Sequence, residues 1–368
     1  MSVKFKKGLR IFFISLHILI VAVFLVVALV PWIDPGRFWF VAVLGLGYVF
    51  LTAAVVLCLL ISLVLRSKWA LLPFLALVLS WKQVAALVSI RSEQQVALDK
   101  DPEVLRVFSW NVSSWTESKK SAGKNQGASY REEMLDVVRQ YNPDVVCFQE
   151  FFESYNPKFF PSNIAALEQM GFRYHHFTPA ILTVNKTFRT GLIIMSKFPI
   201  TDTGSLRYPV GRLREGLSYA DVKVGNRTVR FFNTHLMSLG LHRSTYVDPT
   251  GSEFKGGVLS NLKRTYTYRK VQVDILRQQM DSSPHPVILC GDLNDVPNSY
   301  TYFKARGPLR DAFVKKGSGF GRTFKFISPT IRIDYILYDP SMKVKQFAKL
   351  KYNYSDHYPQ VADLSFED

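Results

Sequence analysis

The sequence predicts an α/β domain preceded by a set of apolar, membrane-type helices. Three observations predict it. Nearly unbroken apolar runs fill the chain before residue 91. After residue 103, short apolar runs alternate with amphipathic helical segments, the pattern of a sheet covered by helices. Polar residues recur where those short runs end, which is where α/β proteins place their sites.

The N-terminal part comes first. Ile11 to Val30 is uncharged and matches the roughly 20 residues needed to cross a bilayer. Pro31, Asp34, Pro35 and Gly36 break it. Phe38 to Leu65 is a second uncharged run, ended by Arg66 and Lys68. Trp69 to Ile90 is a third, interrupted by Pro73, Lys82 and Gln83. Residues 1–90 therefore read as a transmembrane region with spans over 11–30, 38–65 and 69–90. A second full-length run after the first argues against a cleaved signal peptide. Lys4, Lys6, Lys7 and Arg10 precede the first span, and Arg66 and Lys68 follow the second. The positive-inside rule puts both clusters in the cytoplasm. Three crossings then place the N-terminus in the cytoplasm and the remaining domain outside it. Lys82 costs about 3 kcal/mol at mid-span, and a third run lying on the surface would keep the domain inside.

Residues 91–103 form a polar linker, and 104–368 the α/β domain. Strands are expected over 105–112, 144–149, 191–196, 217–224, 229–234, 287–290, 333–338 and 360–364. Helices are expected over 131–141, 163–170 and 261–280. Met134, Leu135, Val138 and Tyr141 share one face of the first helix, and Asn142-Pro143 stops it. No internal repeat is present. Two polar, glycine-containing loops, 116–129 and about 238–260, are long enough to suggest a role.

The first 100 residues hold 10 of the 46 Lys+Arg and 3 of the 29 Asp+Glu, which leaves 36 basic and 26 acidic residues, net +10, beyond them. That balance suits anionic partners as well as plain solubility. Cys58, Cys147 and Cys290 show neither zinc spacing nor a disulfide framework. They read as buried thiols.

Asn111, Glu150 and His235 each close an apolar run, in Ser109-Trp110-Asn111-Val112, Cys147-Phe148-Gln149-Glu150 and Asn233-Thr234-His235-Leu236. Asp292 and Asn294 follow in Gly291-Asp292-Leu293-Asn294, Asp334 lies in Arg332-Ile333-Asp334-Tyr335, and Ser355-Asp356-His357 precedes the last strand. Each alone is weak, since an Asn or Glu after a strand is usually a turn or cap residue. Their joint occurrence in this order is not. Together with Gly191-Leu192-Ile193-Ile194-Met195-Ser196-Lys197-Phe198-Pro199-Ile200, they make the chain resemble the endonuclease/exonuclease/phosphatase superfamily from about Leu105 to Leu364. The resemblance implies a four-layer αββα sandwich, the deoxyribonuclease-I-like fold, with its active site at one end.

It also implies a phosphoesterase. Such chemistry needs a divalent cation to offset phosphoryl charge, and Mg²⁺, with Mn²⁺ as a substitute, prefers oxygen ligands. Glu150 is the best direct ligand, with Asn111 beside it and Asp356 as a further carboxylate. The resemblance assigns Asp292 to activating the attacking water and Asn294 to holding water and phosphate. It assigns His357 to the scissile phosphate, oriented by Asp334. It makes His235 the second histidine, which grips the phosphate or protonates the leaving group. No acidic partner for His235 is evident in the sequence.

Arg189, Arg212 and Arg214 can bind phosphate, yet each reads more simply as a surface arginine. Trp110, Trp115 and Tyr335 read as packing. His175, His176 and His242 lack metal partners, and Lys119, Lys120 and Lys124 read as a solvated loop. The expected partners are the bilayer and a phosphate ester: lipid-linked, an inositol phosphate or nucleic acid. The fold alone does not choose among them. An extracytoplasmic nuclease is one alternative, and a non-catalytic binding module on the same fold is another.

Overall fold

A computed structural model gives the fold, and it describes residues 3–92, 95–117, 129–182, 187–211, 214–240, 257–326 and 328–366. Lys119, Lys120, Lys124, Arg212, His242, Glu93, Gln94 and most of the two long loops lie outside the described residues.

Helix α1 (Val3–Ala28) leads into an apolar stretch, Arg10–Trp32, of 23 residues, long enough to cross a membrane. The second and third expected spans are not continuous. Helices α2 (Trp39–Gly45) and α3 (Tyr48–Val64) meet at 62°, and Lys68–Leu79, which holds α4 (Leu71–Leu79), meets α5 (Trp81–Leu87) at 72°. Gly45 and Gly47 flank the first bend, where helix propensity is lowest. At the second, the Ser80 hydroxyl donates to Ala76 O at 2.7 Å, a back-bond that bends helices. Gln83, read as an interruption, is buried and donates its amide to Ala28 O at 3.0 Å. The third segment also stops short, because Ser89–Ile90 is a strand, β1. Val21, Phe24, Val27, Tyr48, Val55 and Ala76 form the core of this bundle.

The linker is docked onto the domain. Val96 is buried, Ala97 N donates to Gln346 at 2.8 Å, and the Arg106 guanidinium donates to the carbonyls of Ala97 and Leu98.

The domain contains the remaining strands: β2 (Leu105–Asn111), β3 (Val145–Ser154), β4 (Tyr174–Leu182), β5 (Phe188–Ser196), β6 (Ile200–Arg207), β7 (Gly216–Val224), β8 (Arg227–His235), β9 (Val287–Asp292), β10 (Arg310–Asp311), β11 (Ser318–Gly319), β12 (Asp334–Tyr338), β13 (Met342–Lys349) and β14 (Gln360–Phe366). One six-stranded sheet runs β10-β12-β9-β8-β7-β6, the other β13-β14-β2-β3-β5-β4. The pairs β2–β3 and β8–β9 are parallel.

Alternation along the strands builds the layers. Leu105 and Val107 face the core between the sheets with Cys147, Ile194, Phe231, Ile288, Cys290 and Ile336. Phe108 and Trp110 face outward under α6 (Arg131–Tyr141) and α7 (Asn163–Glu168). On the far side, Phe232, Leu289 and Leu337 meet Val273, Leu276 and Met280 of α8 (Val258–Asp281) and Tyr302 and Ala305 of α9 (Tyr300–Arg306). The result is the αββα sandwich. A short helix, α10 (Ala312–Lys316), closes the β10 end.

The edge strands β4, β6 and β13 have no counterpart among the expected strands. The half-exposed, mixed pattern of β6, Pro179 within β4 and the bulge between Val344 and Gln346 of β13 blur the two-residue period.

Candidate active site

Strand register gathers most of the site. Asp292 ends β9, with His235 of β8 as its partner on one side and Asp334 of β12 on the other. Three side chains thus share one rim at the spacing of neighbouring strands. The other sheet supplies Asn111, whose Nδ2 donates to Asp292 Oδ2 at 3.1 Å. Gly291 permits this convergence: a Cβ there would lie 2.6 Å from Thr234 O. Asn294 turns the chain with a left-handed φ of 53°. Its backbone N–H donates to Asp292 Oδ1 at 2.8 Å, and its side-chain amide donates to Leu236 O at 2.8 Å.

Glu150 does not end its strand as expected. β3 continues to Ser154, and the register with β5 shifts between Phe148 and Phe151. Glu150 sits in that bulge at φ 49°. A bulge re-aims one side chain without ending the pairing, and here the carboxylate is only 21% exposed and 4.0 Å from His235 Nε2. It lines an opening with Ser114, Thr190 and Arg214.

His357 is fixed from several directions. Its Nδ1 lies 2.9 Å from Asp334 Oδ2, its carbonyl accepts from Trp110 Nε1 at 2.9 Å, and Phe324 packs on its ring at 5.0 Å. Ser355 anchors the approach by donating to Asn111 O at 2.7 Å. His357 Nε2 and His235 Nε2 lie 3.7 and 3.6 Å from Asp292 Oδ2. Two imidazole edges and one carboxylate therefore face a common space. His235 Nδ1 is buried with no hydrogen-bond partner. Its acidic neighbours are Glu150 and Asp292.

Asp292 is pushed up to about 6, by burial first and then by the Asp334 charge, against the opposing pull of His357, His235 and the Asn294 N–H. For His357, burial acts downward. Asp334, Asp292 and Asp356 outweigh it and raise the imidazole to about 10. The surrounding carboxylates thus favour its cationic form.

Asp292, Asp334 and His357 can bring donor atoms within 4.8 Å of one another. That trio is one candidate metal-holding group, although the His357 Nδ1 already lies 2.9 Å from Asp334 Oδ2. Glu150 and Asn111 offer hard oxygens, the donors Mg²⁺ prefers. The Asn111 side-chain oxygen accepts a 3.1 Å bond from Ser113 N. Asp356 lies beside this pair's strand end, its Oδ1 3.2 Å from Ser355 Oγ.

Other expected residues fall elsewhere. Trp110, Trp115 and Tyr335 are buried in packing. Arg189 lies over Tyr155 at 5.1 Å, and His175 lies 3.7 Å from Glu168. A supporting layer escaped sequence reasoning. Arg269, fully buried, donates to Met237 O at 2.9 Å and pairs with Asp295 at 2.9 Å, just past the Asp292–Asn294 turn. Gln149 Nε2 donates to Asn233 Oδ1 at 2.8 Å, tying the two sheets beside Glu150. The available signal was polar residues inside apolar runs.

The profile of the Endonuclease/Exonuclease/phosphatase family matches residues 108–357, and the chain belongs to that family. A Domain of unknown function (DUF8431) profile matches residues 9–87. No curated protein matches the chain. Among solved structures it is similar to an endonuclease/exonuclease/phosphatase from Beutenbergia cavernae, at 22% identity and TM-score 0.51, covering 72% of each chain. The mannosyl-6-phosphatase of Bacteroides thetaiotaomicron is 20% identical with TM-score 0.50, over 71% of this chain and all (100%) of that one. The human Nocturnin catalytic domain with bound sulfate is 19% identical with TM-score 0.50, over 73% of this chain and 96% of that one. These likenesses concern the fold.

Proposed function

We propose that the chain is a membrane-anchored phosphoesterase that hydrolyses phosphate esters by in-line attack of water, dependent on Mg²⁺ or Mn²⁺. The observation that carries this reading is the shared space faced by Asp292, His235 and His357, with Glu150 opening onto the same rim. A carboxylate raised to about 6 is matched to taking a proton from water near neutral pH. Asn111 and the Asn294 N–H hold that carboxylate in place. Cationic His357, steadied by Asp334, donates to a phosphoryl oxygen. His235 Nε2 faces the same space from the other side and delivers a proton to the leaving oxygen. Glu150 and Asn111, with Asp356 as a further carboxylate, hold the cation, which when bound offsets charge on the phosphoryl oxygens.

The test is hydrolysis by the purified full chain in detergent, in ¹⁸O-labelled water, across phosphate mono- and diesters. Label on phosphorus, appearing only with divalent cation supplied, is the expected result. Label in the alcohol, or turnover undiminished by EDTA, would sink the reading.

A further inference from the structure

The N-terminal bundle is bolted to the loops that carry the catalytic residues. Asn298 donates to Val27 O at 3.2 Å. It lies four residues past Asn294, a reach of at most about 14 Å along the backbone. Fully buried Arg332 donates to Ala86 O at 2.9 Å and pairs with Asp311 at 2.7 Å. It lies two residues before Asp334, a reach of at most about 7 Å. Trp32 meets Phe303 at 6.5 Å, and Lys270 lies 4.0 Å from Asp34. The catalytic rim is therefore held to the bundle by direct packing, not on a free tether.

Exposed apolar residues recur between that boundary and the site. β1, directly after the last apolar segment, pairs with β11, and Ser89 Oγ donates to Gly317 O at 2.6 Å. Ile90 is 96% exposed, Phe320 44% and Phe326 47%. Phe326 packs on Phe324 at 5.6 Å, and Phe324 packs on His357. Lys325, between them, donates to Ser355 O and lies 4.8 Å over the Tyr358 ring. Aromatic rings with a cation beside them are the residues that settle at a membrane–water interface.

We infer that Phe320–Phe326 rests in the headgroup layer and that the substrate is a phosphate ester carried on a lipid, its headgroup entering past Phe326 and Phe324 to His357. This rests on the phosphoesterase reading and on the N-terminal segments lying in a bilayer. Exposed apolar residues placed between the membrane-type bundle and the Phe324–His357 stack are what select a lipid over a water-soluble ester.

The test uses the full chain reconstituted in phosphatidylcholine vesicles. A nitroxide on Phe326→Cys, in a Cys58→Ala background, is expected to meet oxygen more readily than a water-soluble nickel chelate. The reverse order overturns the inference. In the same vesicles, kcat/KM for phosphatidic acid and phosphatidylglycerol is compared with that for glycerol 3-phosphate and glycerophosphoglycerol, their tailless counterparts. The lipid forms are expected to be preferred, and Phe320→Ser with Phe326→Ser to lower the lipid-to-tailless ratio at least tenfold, since withdrawing even one phenyl ring from lipid is worth about that much. Equal rates for both forms, or a ratio unmoved by the substitutions, overturn it. No turnover of any phosphate ester, with the label in lipid, would overturn the phosphoesterase reading and the lipid substrate with it, leaving the membrane contact standing.

Discussion

At the scale of single residues, the site is a problem in burying like charges. Asp292 and Asp334 are register neighbours, nearly inaccessible to water, and two adjacent carboxylates cannot both ionise cheaply there. His357 resolves the conflict by standing between them as a cation. Its charge is held up chiefly by Asp334 against the downward effect of burial. In the proposed mechanism the active form needs Asp292 deprotonated and His357 protonated. Activity should rise with pH through about 6 and fall through about 10. Asp334→Asn removes the leading support for the imidazolium, so the alkaline limb should move down toward the ordinary histidine value of about 6.5. A pH–kcat profile of the variant checks this; an alkaline limb left in place would show that His357 does not set it.

At the scale of elements, two local distortions bring the side chains together: the bulge at Glu150 and the close β8–β9 approach over Gly291. Gly291→Ala places a methyl group against backbone, the Thr234 carbonyl, which cannot rotate away. The strand pair must shift, at a cost of about 1–3 kcal/mol. Thermal unfolding should register a lowered Tm, with activity falling further than stability as His235 and Asp292 move apart. An unchanged Tm would show that the pair has room to spare. These distortions also mark the limit of what the sequence makes legible. The central strands and long helices are plain, because each buries one periodic face. Residues of the rim are visible as polar ends of apolar runs. The bulge is not, since Gln149-Glu150-Phe151 reads as a strand end with a new segment beyond. Edge strands β4 and β6 are faint because they are largely half-exposed, and β13 because a bulge between Val344 and Gln346 breaks its period. Partners set by three-dimensional register, such as Glu150 and Asp292 beside His235, have no one-dimensional trace.

At the scale of the whole molecule, the bundle and the sandwich share a packed boundary. Ala86 of the last apolar segment belongs to the same core as Leu276, Tyr302 and Leu337. The bends at 62° and 72° shape the bundle to that surface, which uniform apolar runs cannot foretell. The αββα sandwich then holds residues from both sheets on one rim while the bundle braces the turns behind Asn294 and Asp334. The central claim is that this rim works as one metal-dependent hydrolytic centre. The most direct measurement is kcat of the full chain in detergent on a chromogenic phosphate ester, with Mg²⁺ and with EDTA, beside Asp292→Asn. The account predicts Mg²⁺-dependent turnover that falls by about 10²–10⁴ in the variant, with KM little changed. Equal rates in wild type and variant, or a wild-type rate indifferent to EDTA, would contradict it.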